Sequence, residues 1–329
     1  MKRILSFLCA LLLLPIPAHA LGGWLPWWDA AAAREEAAAL APYLSRVSAF
    51  AASFDKNDQP SLSPEARSLL LDMQVAFAGT DTRVYLSVVN DTPEEAKSTA
   101  LLRRLLASDE AMERHINDLL LLIDTSRIEA LEIDYENLGS DTGLWQQFTV
   151  FIEKLHLLLE QDGIALRVVL PWDAPKYTIL PLGPEYSVMC YNLYGPHSGP
   201  GPKADFTFLQ EVSRLYADVP GPVRMALATG GFDWSSAGVE SLTQQQAETR
   251  LARLSMAPLR DQASGALTAV YALEDVSHTL WYADGQTLRL WQEALSDFAG
   301  FDLFRLGGGH TEDWLKYLQT VNPNKEAAP

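Results

Sequence analysis

Two periods alternate along this chain. Short runs rich in β-branched and aromatic residues are separated by longer stretches in which apolar positions recur every three or four residues. The short runs lie at 22–28, 46–54, 83–89, 128–136, 165–172, 186–194, 223–231 and 301–309, and each predicts a strand. Helical periodicity fills most of the intervals, as in "SPEARSLLLDMQVAFA", "DEAMERHINDLLLLI" and "LWQQFTVFIEKLHLLLEQ". Asp109 stands where a cap would start the second of these, and Asp141 or Thr142 where one would start the third. The interval "DAPKYTILPLGPE" between the fifth and sixth strands is rich in proline and predicts little helix. Eight strands separated by helices predict an α/β fold, a (β/α)8 TIM barrel.

Two regions break the rhythm. "GPHSGPGPKAD", residues 195–205, is a Gly/Pro-rich loop directly after the sixth strand. Residues of about 235–285 form an excess between the seventh and eighth strands, with β-like patterning in "LTAVYALEDVSHTLWYA". This predicts a small α+β insertion on the barrel rim. The barrel itself is expected over 21–320, followed by a frayed tail at 321–329.

The first twenty residues belong to neither period. Lys2 and Arg3 precede the apolar run "ILSFLCALLLLPIPA", and the small-residue signal "AHA" ends at Ala20. That is the pattern of an export signal, so a periplasmic or secreted protein is expected. No later stretch reaches the roughly 18 uninterrupted apolar residues of a membrane span. Cys9 leaves with the signal, and Cys190 alone can make no internal disulfide. Stability then depends on a core, in one large barrel or in two ordinary domains. The net charge is −17; without Lys2 and Arg3, 23 basic residues face 42 acidic ones. Nucleic acid and anionic membranes are poor partners for such a surface, whereas a neutral polysaccharide meets no such objection.

The fourth predicted strand carries the chemistry. In "IEALEIDYENL", Ile128 to Leu138, strand alternation puts Glu132, Asp134 and Glu136 on one face and Leu131, Ile133 and Tyr135 on the other. Converging acids repel, and burial disfavours their charge, so at least one pKa should rise. A solvated edge strand would explain the acids blandly, but a barrel has no edges. Its active sites lie at the carboxyl ends of its strands, where Glu136 falls. A structural cluster bridged by Arg167 or Arg305 is the other reading of these acids. Carboxylate-only binding of Mg²⁺ or Ca²⁺ is a third.

These residues resemble glycoside hydrolase family 18, the chitinase-like barrels. The family's fourth strand reads D-G-x-D-x-D-x-E, and this chain presents Glu129, Ala130, Leu131, Glu132, Ile133, Asp134, Tyr135 and Glu136. The last Asp and the Glu match. "MCYNLYG" resembles the sixth-strand M-x-Y-[DN] signature, and "GGFDW", "SHTLWYADGQTLRLW" and "LFRLGGG" resemble segments of the spore-cortex-lytic and cell-wall branch. The resemblance implies Glu136 as general acid, Asp134 as the residue that orients a substrate N-acetyl group, and Tyr191 as its hydrogen-bond donor. It implies that Met189 and Asn192 line the same pocket, with Glu132 beside them. Phe304 stands where the family has a Trp floor, and Val88, Val89 and Asn90 follow Ser87 where many chitinases have S-x-G-G.

Among the tryptophans, Trp24, Trp172 and Trp234 sit near predicted strand mouths and are the preferred sugar-stacking candidates. No histidine pair has ligand spacing, so neither metal nor cofactor is expected. Cys190 should be a buried, inert thiol. The expected activity is retaining hydrolysis of β-linked N-acetylglucosamine-containing glycans, peptidoglycan-derived or chitin-like. The alternative is a catalytically weak barrel that binds glycan or cell wall.

Overall fold

In the computed structural model, which describes residues 21–309 and 311–321, the eight apolar runs become eight parallel strands. They are β1 (Leu21–Pro26), β2 (Leu44–Phe54), β3 (Arg83–Val89), β4 (Ala130–Asp134), β5 (Ala165–Pro171), β6 (Glu185–Met189), β7 (Val223–Leu227) and β8 (Phe301–Leu303). Each pairs with its neighbour in sequence, and β1 pairs with both β2 and β8, so the sheet closes into a TIM barrel.

The helices are α1 (Ala30–Leu40), α2 (Pro64–Ala76), α3 (Thr99–Leu105), α4 (Asp109–Ser126), α5 (Thr142–Gln161), α6 (Phe206–Tyr216), α7 (Gln244–Arg253), α8 (Gly285–Ala294) and α9 (Thr311–Val321). In α5 the buried residues Leu144, Trp145, Phe148, Phe151, Ile152, Leu155 and Leu159 recur at helical spacing, and the Asp141 side chain caps the first turn by accepting from Leu144 N. Ser108, not Asp109, caps α4. Its hydroxyl reaches the third amide of the turn, a position the Asp109 side chain does not hold. The proline-rich interval between β5 and β6 holds a single 3-10 turn, Ala174–Lys176.

The main core lies between the outer face of the barrel and its helices. Leu131 and Ile133 of β4 enter it fully buried, each contributing roughly 1.5–3 kcal/mol. Tyr135 follows on the same face, its hydroxyl 2.9 Å from His115 Nε2 on α4. Burial lowers the His115 pKa to about 3, so the imidazole is neutral.

The insertion begins earlier than the periodicity predicts. β7 ends at Leu227, and Gly230–Ser235 already belongs to a separate five-stranded antiparallel sheet. Gly238–Leu242, Leu259–Arg260, Leu267–Leu273 and Val276–Ala283 complete it. α7 packs on this sheet through Ala247 and Leu251, and Arg250 Nη1 reaches the buried Asp233 at 2.6 Å. A side chain at Gly231 would start 1.8 Å from the Trp281 carbonyl, so the close strand pairing requires glycine. The predicted export signal, residues 1–20, and the tail from 322 lie outside the described residues.

Candidate active site

Inward-facing side chains fill the barrel in layers. The lower layer is charged. Arg46, Arg167 and Arg224 meet Glu132, Glu185 and Asp302, three cations against three anions. Arg224 Nη2 lies 2.9 Å and Arg167 Nη1 3.6 Å from the Asp302 carboxylate. Burial would raise the Asp302 pKa, but Arg224 and Arg167 outweigh it and hold the carboxyl well below the usual range. Space for this arrangement comes from Gly22, where a Cβ would sit 2.1 Å from Asp302 Oδ1.

Glu132 belongs to this layer. It is fully buried, pairs with Arg167, and accepts hydrogen bonds from the Ser87 and Ser48 hydroxyls and, at 2.6 Å, from Trp24 Nε1. This corrects the expectation that Glu132 lines the substrate pocket, because its oxygens are occupied beneath the floor. Of the three converging acids Glu132, Asp134 and Glu136, Arg167 pairs with Glu132. Trp24, expected to stack on substrate, is 2% exposed, donating to Glu132 and packing against the Phe304 ring with centroids 6.1 Å apart.

The next acids along β4 have a different environment. Asp134 closes the strand and is buried, and its Oδ1 has no hydrogen-bond partner among the described residues. Its pKa is pushed well up, first by burial, then by the charges of Glu136 and Glu132, with Lys97 opposing. The rise expected for at least one of the converging acids is found at Asp134. Glu136 sits two residues beyond the strand end, where both of its backbone groups pair with the Asn90 side chain: N–H to Oδ1 at 2.9 Å and carbonyl to Nδ2 at 3.0 Å. Its Oε1 is 2.7 Å from Lys97 Nζ.

An aromatic layer forms the floor. Tyr191 stacks on Phe304, with ring centroids 5.4 Å apart and planes 11° from parallel. Burial, reinforced by Glu136 and Asp134, pushes the Tyr191 hydroxyl well above its usual pKa, so it is a neutral donor. Trp24, Val169, Met189, Ala226 and Phe50 complete the layer. From Phe304 a chain of edge-on rings runs outward through Phe50, at 6.0 Å, and Trp28, at 5.7 Å, to Trp27, at 5.8 Å. Trp27 and Trp28 are 41% and 51% exposed. They are the surface aromatics that Trp24 was expected to be.

The remaining candidates divide. Met189 is buried in the floor, and exposed Asn192 places its amide 3.8 Å from the Met189 sulfur. Trp172 stands after β5, but its ring meets Phe208 of α6 edge-on at 5.4 Å and carries Lys176 at 4.1 Å, so it is already engaged. Trp234 lies in the inserted sheet, 7% exposed, beside Phe232. Lys203, from the loop after β6, donates to the Thr229 carbonyl at 2.8 Å; burial and Arg305 push its pKa down to about 8. Cys190 is buried, which pushes its thiol up and makes it inert. Among the described residues no group of three or more His, Cys, Asp or Glu is arranged to hold a metal ion, and no helix is long and apolar enough to cross a membrane.

The sequence gives no sign of Lys97 or of Asn90 as a clamp, and Trp28, one of the tryptophans able to stack on a sugar, is exposed where the preferred Trp24 is not. Their roles depend on which loops meet at the mouth, and no local pattern signals that.

Solved structures place this geometry. A chitinase from Chromobacterium violaceum superposes with a TM-score of 0.76 at 18% identity, over 92% of this chain and 99% of that one. The chain shares the chitinase fold. The spore cortex-lytic enzyme SleL of Bacillus megaterium gives 0.75 at 14% identity, over 94% and 74% of the two chains. A GH18 chitinase from Cycas revoluta in complex with (GlcNAc)3 gives 0.72 at 13%, over 92% and 99%. No family model matches the chain, and no curated protein matches it.

Proposed function

We propose that the protein is an exported glycoside hydrolase of the family 18 type that cleaves β-linked N-acetylglucosamine-containing glycans with retention. The carrying observation is Asp134, a buried carboxyl with a raised pKa beside Glu136, at the strand ends of a barrel whose floor is aromatic. A protonated carboxyl next to an ionisable partner is the arrangement that general acid chemistry near neutral pH requires.

In this reading Glu136 protonates the glycosidic oxygen. The substrate's own acetamido oxygen attacks the anomeric carbon, with Asp134 orienting the acetamido group and the Tyr191 hydroxyl donating to it. Water then opens the oxazolinium intermediate with Glu136 as base. Phe304 and Tyr191 form the apolar base for the sugar ring at the cleavage point, and Phe50 and Trp28 extend the stacking surface outward. Peptidoglycan-derived glycans are the first choice of substrate and chitin oligomers the second, because the segments after β7 resemble the cell-wall branch. A periplasmic or secreted location follows from the pattern of residues 1–20.

A second reading, a barrel that binds glycan without efficient turnover, is favoured by Phe304 in the floor and by the ion pair that occupies Glu136. Turnover of a fluorogenic N-acetylglucosamine oligomer by the protein from Leu21 onward, beside Glu136→Gln, separates the two. Hydrolysis that drops by about 10²–10⁴ in the variant supports the glycosidase. Equal binding by both proteins without turnover in either supports the binding protein.

A further inference from the structure

We infer that Lys97 is a positioning residue whose ammonium holds Glu136 as an aimed carboxylate in the free protein, and that an entering glycan displaces it. The inference rests on the reading of Glu136 as the acid.

The contact is built rather than incidental. Lys97 has φ +53°, and its amide donates to Asp91 Oδ1 at 2.7 Å. Ser98 N donates to the Asn90 carbonyl at 2.8 Å, while the Asn90 side chain pairs both backbone groups of Glu136. Thr99 Oγ1 closes the far side on the Asn137 carbonyl at 2.7 Å. The loops after β3 and β4 are therefore clasped, and the clasp brings Lys97 Nζ to 2.7 Å from Glu136 Oε1. The clasp uses Asn90, which stands where the third strand departs from S-x-G-G.

The two acids of the strand are neutralised in different ways. Arg167 and Glu132 are both fully enclosed, so that pairing is permanent. The Lys97 side chain is 54% exposed and that of Glu136 20%, so this pair is open to water and to a ligand. Lys97 pairs with Glu136, the charges of Glu136, Glu132, Lys97 and Asp91 all act on Asp134, and both Glu136 and Asp134 act on the Tyr191 hydroxyl from beyond β6. Lys97 opposes the negative charge of this acidic group.

The ammonium holds and aims the Glu136 side chain through the 2.7 Å contact, and the proton that catalysis needs is kept on Asp134, whose pKa burial pushes well up. When sugar hydroxyls replace the ammonium, the proton passes from Asp134 to Glu136 and on to the glycosidic oxygen. The water that opens the intermediate returns a proton to Glu136, and that proton passes back to Asp134 when Lys97 pairs with Glu136 again on product release.

The test compares the protein with Lys97→Met and Lys97→Arg. The alkaline limb of kcat/KM should move up by about one pH unit in Lys97→Met, raising kcat/KM up to tenfold above that limb, and Lys97→Arg should restore the parent profile. Raising salt from about 0.05 to 1 M should move the parent's limb the same way and leave Lys97→Met unmoved. In parallel, ¹³C NMR of labelled glutamate follows the Glu136 carboxyl, assigned by its loss in Glu136→Gln, and its titration midpoint should rise in Lys97→Met. If the midpoint moves and no glycan is cleaved, the pair stands and the glycosidase reading falls. If glycan is cleaved and neither limb nor midpoint moves, the inference about Lys97 is overturned.

Discussion

Replacing Arg167 by Met probes the charged layer beneath the site. Three arginines balance three acids there, and Arg167 is the partner of Glu132, with Asp302 and Glu185 at 3.6 and 3.9 Å. The variant leaves three acids, two of them fully buried, facing two arginines. Trp24, Ser87 and Ser48 still donate to Glu132, but neutral donors do not cancel its charge. Removing one member of a fully buried pair costs about 3–5 kcal/mol. For a chain of about 300 residues the unfolding entropy is roughly 0.6 kcal/mol/K, so Tm should fall by about 5–8 °C. Thermal and urea unfolding would measure this, beside Glu132→Gln and the double variant. The double variant leaves two arginines facing two acids and should recover more than half of the loss. A drop under about 1 °C, or additivity of the two single losses, would refute the reasoning.

Three further outcomes follow from the same geometry. Asp134 has a higher pKa folded than unfolded, so it loses a proton on unfolding in the window between the two values, and its ionisation erodes stability as pH rises through the folded value. Asp134→Asn should therefore stabilise the protein at neutral pH by about 1 kcal/mol while impairing turnover, and a gain that persists undiminished at pH 3 would contradict this. His115 stays neutral to about pH 3 when folded but takes up a proton below about 6.5 when unfolded. Stability should thus fall by about 1 kcal/mol per pH unit between those values; His115→Gln, which keeps a partner for Tyr135, should flatten the slope, and urea titrations at pH 7, 5 and 4 would show an unchanged slope if the account is wrong. Trp28→Ala should raise KM about 3–10-fold for oligomers long enough to reach the rim and leave the shortest substrates alone; a uniform rise across lengths would exclude a stacking role.

What the sequence determined by itself was local and periodic. Alternation in each of the eight runs is enough to sort Leu131 and Ile133 from Glu132 and Asp134, because strand geometry sends successive side chains to opposite faces. Once those strands are separated by helices, closure follows from a short list of layer architectures, and with it the location of Glu136 at a strand end. The placement of the candidate residues was legible to the same extent: Asp134 and Glu136, Met189 and Tyr191, and Phe304 stand at the carboxyl ends of β4, β6 and β8, as their positions in the runs imply.

The tertiary structure alone decided which acid does what. Glu132 and Asp134 share a strand, a face and a carboxyl group, yet one meets Arg167, 35 positions away, and the other has an oxygen with no hydrogen-bond partner among the described residues. The same holds for Trp24 and Trp28, four residues apart, one enclosed beneath Phe304 and the other at the surface. Lys97 meets Glu136 only because two loops, about forty residues apart in sequence, are clasped by Asn90. Periodicity tells which face a side chain is on. Which distant group waits for it there depends on the closure of the barrel, because burial and charge act through space and not along the chain.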